Sequence, residues 1–431
     1  MASEHKSGWP LRSLSSCATY QEGYVNPSQG VPSYFGDDVR WLRAVDLNDS
    51  FVHETSRRLS FAGFSSAGKA AKLFRPGSLA ISKSGTIGRL GILQAEMCGN
   101  RAVINIEPHP DIDTRFLFYS LLANRERIIQ MADGSVQKNL YVSQLGMIEL
   151  HVPPLGAQRA IAETLGSLDD KIEQNRRTGA KLEGLARAVF KAWFVDFEPV
   201  KAKGAGATAF PGMPAAAFAS LQARLIDSEL GPVPEGWEVK SLSEAFDVNP
   251  PRRLAKSVDA PYLDMKNMPT DGHAPDTWER RPHGSGMKFI NGDTLVARIT
   301  PCLENGKTAY VDFLNDGEVA CGSTEYIVLR PKPPLPAIFA YCLARMEPFR
   351  DYAIQNMSGT SGRQRVAASA MEHYHIAVPD EVTARSFGEV IEPLFQWIRA
   401  GKAESAKLAA LRDYLLPRLL SGRVRVRGEI T

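Results

Sequence analysis

The sequence has few cysteines and no long apolar run, and both shortages narrow the class of protein. Five cysteines are scattered through 431 residues without a C-x-x-C pair, which favours reduced thiols over a disulfide framework or a zinc site. The sequence has no stretch of about 18 apolar residues, so it predicts no transmembrane helix. Its polar start lacks the apolar core of a secretory signal. The expected localisation is therefore cytoplasmic.

Net charge is also small. The chain has 51 Lys and Arg against 48 Asp and Glu, and its 44% hydrophobic and 23% charged residues are ordinary for a globular protein. This balance excludes a histone-like, polybasic protein. It does not exclude nucleic-acid binding, because a basic face can lie on a nearly neutral molecule.

The common signatures of enzymes are missing. No G-x-x-x-x-G-K-[ST] phosphate loop is present, so this chain is not expected to drive translocation with ATP. Residues 248–251 (VNPP) open like the Asn-Pro-Pro-aromatic motif of amino-methyltransferases, but Arg252 replaces the aromatic residue, which favours a proline turn after a strand. His373 and His375 would share one side of a strand, but they lack a third metal ligand. We predict no catalytic residues and no metal site.

What the chain does contain is an internal repeat. Gly8 and Trp9 recur as Gly236 and Trp237, an offset of 228 residues. The segment LRSLS at 11–15 is matched by VKSLS at 239–243, and each half later reaches an apolar strand that ends at a proline. The sequence therefore predicts a tandem duplication.

The strongest match within the repeat is a pair of helical stripes. Residues recur at steps of four and three over about 33 positions in each half, with a constant offset of 226, which predicts two long helices suited to antiparallel pairing. Both stripes are interrupted near the middle, at Asn175 and Gly179 and again at Gly401 and Ser405, where we expect a kink or a close crossing. The apolar positions are Ile161, Leu165, Leu168, Ile172, Leu182, Val189 and Trp193 in the first half, and Phe387, Ile391, Leu394, Ile398, Leu408, Leu415 and Leu419 in the second.

These patterns predict an α+β fold with two strand-rich mixed domains in tandem, separated by two long antiparallel helices with pseudo-twofold symmetry. Helices are expected within the two domains at 115–132 and 337–354, and a short helix at 221–230 near the end of the linker. The predicted segments are a first domain at 1–152, a helix at 153–200, an Ala/Gly/Pro linker with a short helix at 201–232, a second domain at 233–379, a second helix at 380–422, and a tail at 423–431.

Four segments resemble one family, the specificity (S) subunits of type I restriction-modification systems. Residues 165–175 (LGSLDDKIEQN) and 188–200 (AVFKAWFVDFEPV) look like the central conserved region of that family. Residues 227–237 (DSELGPVPEGW) resemble the entry to its second target-recognition domain, and residues 411–422 (LRDYLLPRLLSG) resemble its carboxy-terminal conserved region. The duplicated layout extends the resemblance over nearly the whole chain.

The resemblance implies a non-catalytic subunit that reads a bipartite sequence in double-stranded DNA. Each target-recognition domain, at 1–152 and 233–379, would read one half-site, and the paired helices would set the spacer between them. The helices would also dock two methyltransferase (M) subunits, and the complex could recruit motor-nuclease (R) subunits. The family implies that S-adenosylmethionine, ATP and Mg²⁺ bind to those partners, so no cofactor is expected on this chain.

Candidate DNA-reading residues follow from their donor groups, since Arg and Lys reach guanine edges and Asn and Gln pair with adenine. A Gly-containing polar loop recurs near the end of each domain, and basic residues flank the repeated strands. The candidates in these places are Gln137, Lys138, Asn139, Arg363, Gln364 and Arg365 in the loops, and Lys83, Arg89, Arg298 and Lys307 beside the strands. Weaker candidates are Arg57, Arg58, Lys69, Lys72, Arg75, Arg280, Arg281 and His283, and the tail residues Arg423, Arg425 and Arg427, which alternate with valines as in an exposed strand.

For each polar loop, a merely solvated surface is the competing interpretation. For the whole chain, the competing function is a duplicated helical scaffold that binds proteins without reading DNA. Residues 1–152 hold 16 basic and 14 acidic side chains, and residues 233–379 hold 16 and 18. Because neither domain is strongly basic, we expect the subunit alone to bind DNA weakly, with its partners supplying much of the phosphate contact.

Overall fold

The computed structural model describes residues 9–133, 138–360 and 362–426, and these form two compact units. The first unit comprises the described residues within 1–173 and 405–431, and the second comprises those within 174–404. No helix among the described residues is long and apolar enough to cross a membrane.

The first unit is a mixed α+β module. Its central sheet has the order β2-β9-β6-β7-β4, and a smaller sheet has the order β5-β3-β8. Its strands are β1 (Leu11–Ser13), β2 (Ala18–Glu22), β3 (Phe35–Leu42), β4 (Ser50–Val52), β5 (Arg58–Leu59), β6 (Leu79–Ser82), β7 (Leu90–Leu93), β8 (Cys98–Gly99), β9 (Val103–Pro108) and β10 (Glu149–His151). Its helices are α1 (Phe61–Ser65), α2 (Thr114–Ala123), α3 (Arg125–Met131), α4 (Val142–Gly146), the first part of α5 (Leu155–Phe194) and the last part of α12 (Glu381–Leu420).

The second unit has the same layers, with sheet orders β14-β21-β18-β19 and β16-β15-β20-β17. Its strands are β11 (Leu225–Ser228), β12 (Gly231–Pro234), β13 (Glu238–Ser241), β14 (Phe246–Val248), β15 (Asp259–Leu263), β16 (Glu279–Pro282), β17 (Met287–Phe289), β18 (Thr294–Ala297), β19 (Thr308–Tyr310), β20 (Ala320–Gly322), β21 (Tyr326–Pro331), β22 (Met357–Ser358), β23 (Arg365–Val366) and β24 (His375–Val378). Besides the rest of α5, its helices are α6 (Glu198–Gly204), α7 (Ala215–Ser220), α8 (Leu242–Ala245), α9 (Ala337–Ala344), α10 (Glu347–Gln355), α11 (Ala368–Glu372) and the first part of α12 (Glu381–Leu420).

The predicted duplication is visible in the hydrogen bonds of the two units. β1 pairs antiparallel with β10, and β13 pairs antiparallel with β24. The Leu14 amide then donates to the Ile148 carbonyl at 2.7 Å, and the Leu242 amide donates to the Tyr374 carbonyl at the same distance. The same backbone contacts thus close both modules, which confirms the internal repeat.

The sheets form around strands that are mostly apolar and are buried at every position. β6 and β7 are buried throughout, as is β18 in the second unit. A strand buried on both faces reads as a continuous apolar run instead of an alternating one. In each unit, these strands pack against a helix from the module and against the long helices.

The helices α5 and α12 are 40 residues each, about 60 Å at 1.5 Å per residue. In the second unit, Asn175 contacts Gly401, and further along α5 the ring of Phe190 lies 5.8 Å from that of Phe387. As residue numbers increase along α5, the residues of α12 that they contact have decreasing numbers. The two helices are therefore antiparallel, as predicted.

The interruption of the stripe is a close approach between the helices, and both helices continue through it. Asn175 donates to the Gly401 carbonyl at 3.2 Å and to the Glu404 carboxylate at 2.7 Å. A Cβ at Gly179 would lie only 3.3 Å from the Ile398 side chain. Asn175 and Gly401 are equivalent positions of the repeat, 226 residues apart, and they meet each other.

Several predicted elements need correction. The helix predicted within 153–200 ends at Phe194, because Phe197 adopts a left-handed φ of 53° and Glu198 then begins α6, with Pro199 in its first turn. The helices predicted at 115–132 and 337–354 are each two helices, broken at Asn124 and before Pro348. The helix predicted at 221–230 is wrong: this segment enters the hairpin β11–β12, and the short helix α7 lies before it. In the tail, the described residues 423–426 form no strand, and Arg427 lies outside the described residues.

Candidate nucleic-acid interface

In the second unit, a loop and a hairpin bring several predicted residues together. The hairpin joins β18 to β19, and the loop ends in β23. The Val366 amide donates to the Arg298 carbonyl at 2.9 Å, and the Thr300 amide donates to the Gln364 carbonyl at 3.0 Å. The loop that carries Arg363 is thereby fixed beside the hairpin that begins at Arg298.

Glu325 organises the charges at this place. Its carboxylate accepts from Nε of Arg365 at 2.9 and 3.0 Å and lies 2.8 Å from Nη2, which raises the pKa of that guanidinium. Nε of Arg298 is 3.9 Å from the same carboxylate and is buried without a hydrogen bond. Two arginines therefore share one acid, which leaves a net positive charge on a partly exposed surface.

The first unit has the equivalent construction. The Leu140 amide donates to the Lys83 carbonyl at 2.9 Å, which places Lys83 at the position of Arg298 and Asn139 at that of Arg365. The ammonium of Lys83 contacts Glu22 at 2.6 Å. Burial would raise the pKa of Glu22, but the hydrogen bonds from Lys83 and Tyr24 outweigh it and lower that pKa. Gln137 lies outside the described residues.

The remaining predicted residues differ in whether their side chains already make polar contacts within the protein. Arg363, Lys138 and Arg89 are exposed, and no ion pair within the described parts of the chain involves them. Lys307 is different, because its Nζ donates to the Met265 carbonyl at 2.7 Å and to the Lys266 carbonyl at 3.4 Å. That ammonium supports the turn after β15 and is less available to a phosphate.

The weaker basic candidates include two arginines stacked on aromatic rings. The guanidinium of Arg57 lies 3.6 Å from the centre of the Phe35 ring, and that of Arg281 lies 3.2 Å from the centre of the Tyr262 ring. Stacking holds a guanidinium plane while leaving its edge able to donate. His283 is buried, so it does not offer an accessible ring for DNA contact.

The segment that resembled a methyltransferase motif serves the fold. Asn249 directly follows β14 with a φ of 53°, and its side-chain oxygen accepts from the Val328 amide at 2.9 Å. Arg252 binds both carboxylate oxygens of the fully buried Asp293, at 2.8 and 2.9 Å. In the described part of the chain, no group of three or more His, Cys, Asp or Glu residues is arranged to hold a metal ion.

Sequence reasoning missed the acids that hold the predicted basic residues. Glu325 and Glu22 were not among the predicted site residues. Their partners are 40 and 61 residues away in the chain, so spacing gave no signal. The only available sign was that each acid occupies a strand end in the same repeated sheet.

The residues predicted on the helical stripes lie within the protein's own packing. The buried ones are Ile161, Leu165, Trp193, Phe387, Ile391, Ile398 and Leu419, and the half-buried ones are Leu168, Ile172, Leu182, Val189, Leu394, Leu408 and Leu415. Other apolar residues of the same helices are exposed, among them Leu185 at 51%, Leu411 at 45%, Tyr414 at 57% and Trp397 at 69%.

Comparison with known proteins gives these features a context. The family model described as the type I restriction modification DNA specificity domain matches residues 6–183. The MjaIX specificity subunit of Methanocaldococcus jannaschii is 24% identical, over 94% of this chain and 91% of the relative. The HindI specificity subunit of Haemophilus influenzae is also 24% identical, over 74% of this chain and 79% of the relative.

This chain is similar to the type I restriction-modification specificity subunits. The fold agrees, because the crystal structure of a type I S subunit from M. genitalium matches with a TM-score of 0.54 and 16% identity, over 97% of both chains. The two repeated modules of the chain are thus the places to look for target recognition.

Proposed function

We propose that this chain is a type I specificity subunit that reads a bipartite sequence in double-stranded DNA, with one half-site for each module, and that it docks two methyltransferase subunits. The observation that carries the proposal is a backbone hydrogen bond found in both modules, which joins the polar loop to the neighbouring hairpin. Its donor is the Leu140 amide in the first module and the Val366 amide in the second. Both modules thereby present basic and amide side chains from a fixed backbone. Preorganised donors of this kind suit the reading of base edges.

The candidate contacts differ in the role we assign to them. Arg363, Gln364 and Lys138 are the best candidates for base edges, because they lie on or beside the repeated loops. Arg89 is exposed next to a strand end and suits a phosphate. Arg365 and Lys83 are held by acids, so we assign them to shaping the surface and to nearby phosphate contacts.

Docking of two like partners is supported by the exposed apolar residues of the long helices. Leu185 on α5 and Leu411 on α12 are equivalent positions of the repeat, and 51% and 45% of their surfaces are exposed. Exposed apolar side chains at matching positions suit two copies of one partner. The buried residues of the stripes would instead hold the two helices together and set the DNA spacer.

The chain itself is proposed to be non-catalytic. Methyl transfer with S-adenosylmethionine and any ATP- and Mg²⁺-dependent cleavage would belong to methyltransferase and motor-nuclease partners. The complex would act in the cytoplasm.

A domain exchange tests this function. Residues 233–379 are replaced by the corresponding domain of another specificity subunit, the chimera is produced with the methyltransferase, and methylated adenines are mapped across a genome. We expect only the second half-site to change, because the first module is untouched. A chimera that changes both half-sites, or neither, would contradict the proposal.

The rival interpretation is a protein-binding scaffold, and it predicts a different binding behaviour. The complex with methyltransferase should give a two-part footprint that depends on sequence and persists as salt is raised. Sequence-blind binding that disappears with salt would favour the scaffold, since non-specific binding is largely electrostatic. The subunit alone should neither methylate nor cut DNA.

A further inference from the structure

Each module is anchored to the long helices by a buried tyrosine. In the first unit this is Tyr119 on α2, which is 2% exposed. Its hydroxyl donates to a carboxylate oxygen of Asp169 on α5 at 2.6 Å. Arg412 on α12 donates to the other oxygen of Asp169 at 2.8 Å, so one acid joins the module helix to both long helices.

A second contact lies one residue further along α5. The two terminal nitrogens of Arg115 donate to the two carboxylate oxygens of Asp170, both at 3.0 Å. The guanidinium crosses α5 at Gly166, where an added Cβ would come within 2.5 Å of it. The absence of a side chain at Gly166 therefore permits this bidentate contact.

The second unit carries the equivalent tyrosine on α9. Tyr341 is fully buried, and its hydroxyl donates to Glu183 on α5 at 2.7 Å. Glu183 is itself only 5% exposed. From α12, the ring of Phe395 packs against the Tyr341 ring, with 5.8 Å between their centres. This tyrosine too contacts both long helices.

Arg345 extends the second anchor into the candidate recognition hairpin. Its Nε donates to the Tyr341 hydroxyl at 3.0 Å. Its terminal nitrogens donate to four carbonyls, those of Thr270, Gly272, Gly306 and Thr308, at 2.5 to 3.1 Å. All five N–H groups of the guanidinium are thereby used. Gly306 and Thr308 belong to the hairpin that begins at Arg298.

From these contacts we infer that Tyr119 and Tyr341 are positioning residues, which fix the orientation of each recognition module on the helices and so the spacer length that the subunit accepts. The inference rests on the proposed bipartite recognition. A hydroxyl bonded to a largely buried carboxylate is a strong and directional contact, because its acceptor is charged and shielded from water. Losing it would let a module turn without changing the side chains that read DNA.

The test uses the full chain with its methyltransferase partner and single variants Tyr119→Phe and Tyr341→Phe. Substrates are duplexes that contain both half-sites as mapped for the unaltered protein, separated by the native spacer or by one base pair more or fewer. Methylation rates are measured on each. Tyr326→Phe is the matched control, because that buried hydroxyl donates to the Leu263 carbonyl inside the second module, and no hydrogen bond among the described residues joins it to α5 or α12.

We expect each anchor variant to raise the ratio of altered-spacer to native-spacer methylation by about tenfold, the effect of losing roughly one charged hydrogen bond. The mapped half-site sequences and the Tyr326→Phe ratio should stay unchanged. A uniform loss at all spacers would show a purely structural role and overturn the inference. If Tyr341→Phe does not fold, Glu183→Gln replaces it, and Asp169→Asn likewise replaces Tyr119→Phe, since an amide oxygen still accepts from the hydroxyl more weakly. An unchanged ratio in the replacement variant also overturns the inference. An unaltered protein that shows no two-part site would reject the proposed function and this inference together.

Discussion

Arg363→Ala offers the most direct test of the candidate interface, because the side chain is exposed and does not stabilise the fold. The Arg363 amide donates to the Thr360 carbonyl at 3.0 Å, and Gly362 before it has a φ of 78°, so the backbone defines the turn. Removing the guanidinium takes away no packing and no ion pair. We therefore expect the free energy of unfolding to change by less than about 0.5 kcal/mol.

The effect on recognition should be much larger. A good bidentate base contact gives roughly 1–3 kcal/mol of discrimination, which corresponds to about a 5- to 150-fold loss of preference at one position. The loss should be confined to the second half-site, because Arg363 lies in the second unit. The first half-site should remain as in the unaltered protein.

The assay is methylation mapping with the variant and its methyltransferase, combined with competition between duplexes that differ at single positions. Arg385→Ala is the control, because Arg385 is an exposed arginine on α12 with only an i,i+4 contact to Glu389 at 3.6 Å. An unchanged motif in Arg363→Ala would refute the assignment. Weaker methylation of all sequences alike would make Arg363 a phosphate contact and remove it from base reading.

Three further predictions concern stability and phosphate contact. Lys307→Met should lower Tm without changing the methylated sequence, because the Lys307 ammonium donates to two backbone carbonyls. Arg89→Ala should instead leave Tm unchanged and reduce the salt slope of DNA binding by about one. The reverse pattern would contradict the roles assigned to these two residues. Phe190→Ala should lower the free energy of unfolding by about 3–5 kcal/mol in chemical denaturation, because the Phe190 ring on α5 is 1% exposed and packs against α12 and α9. A loss under about 1 kcal/mol would contradict this packing. Glu22 has a pKa lowered by folding, so its contribution is present above its unfolded pKa and lost as pH falls through the folded one. The Tm difference between the unaltered protein and Glu22→Gln should therefore shrink as pH falls from about 7 to below 4, and a constant difference would argue against the pairing with Lys83.

The long helices and the duplication could be predicted because both leave a local record in the sequence. Apolar residues at steps of four and three mark one face of a helix whatever its partner, and a constant offset of 226 repeats that record. The interruption at Asn175 and Gly401 also predicted a kink or a close crossing of the helices, since small and polar residues permit the close approach found there. These features depend on neighbours along one helix.

The charge pairings could not be predicted, because they depend on which strands become neighbours. Nothing near Arg365 in the sequence indicates that Glu325 will bind it, and nothing near Lys83 indicates Glu22. The hairpin β11–β12 was missed for a related reason: its sequence has helix-forming residues, but Gly231 takes a φ of 84° and the strands pair across it. Tertiary pairing overrode the local preference.

The two candidate surfaces are built alike but carry different chemistry. Where the first module has Lys83 and Asn139, the second has Arg298 and Arg365, and the acids that hold the basic residues, Glu22 and Glu325, lie at the ends of different strands of the repeated sheet. Unlike donors at equivalent places favour unlike bases, so the combined target should have no twofold symmetry. Such a target gives the bound complex a direction along the duplex. Two identical methyltransferases would then meet different sequences, one on each strand, although the subunit that places them is a repeat of itself.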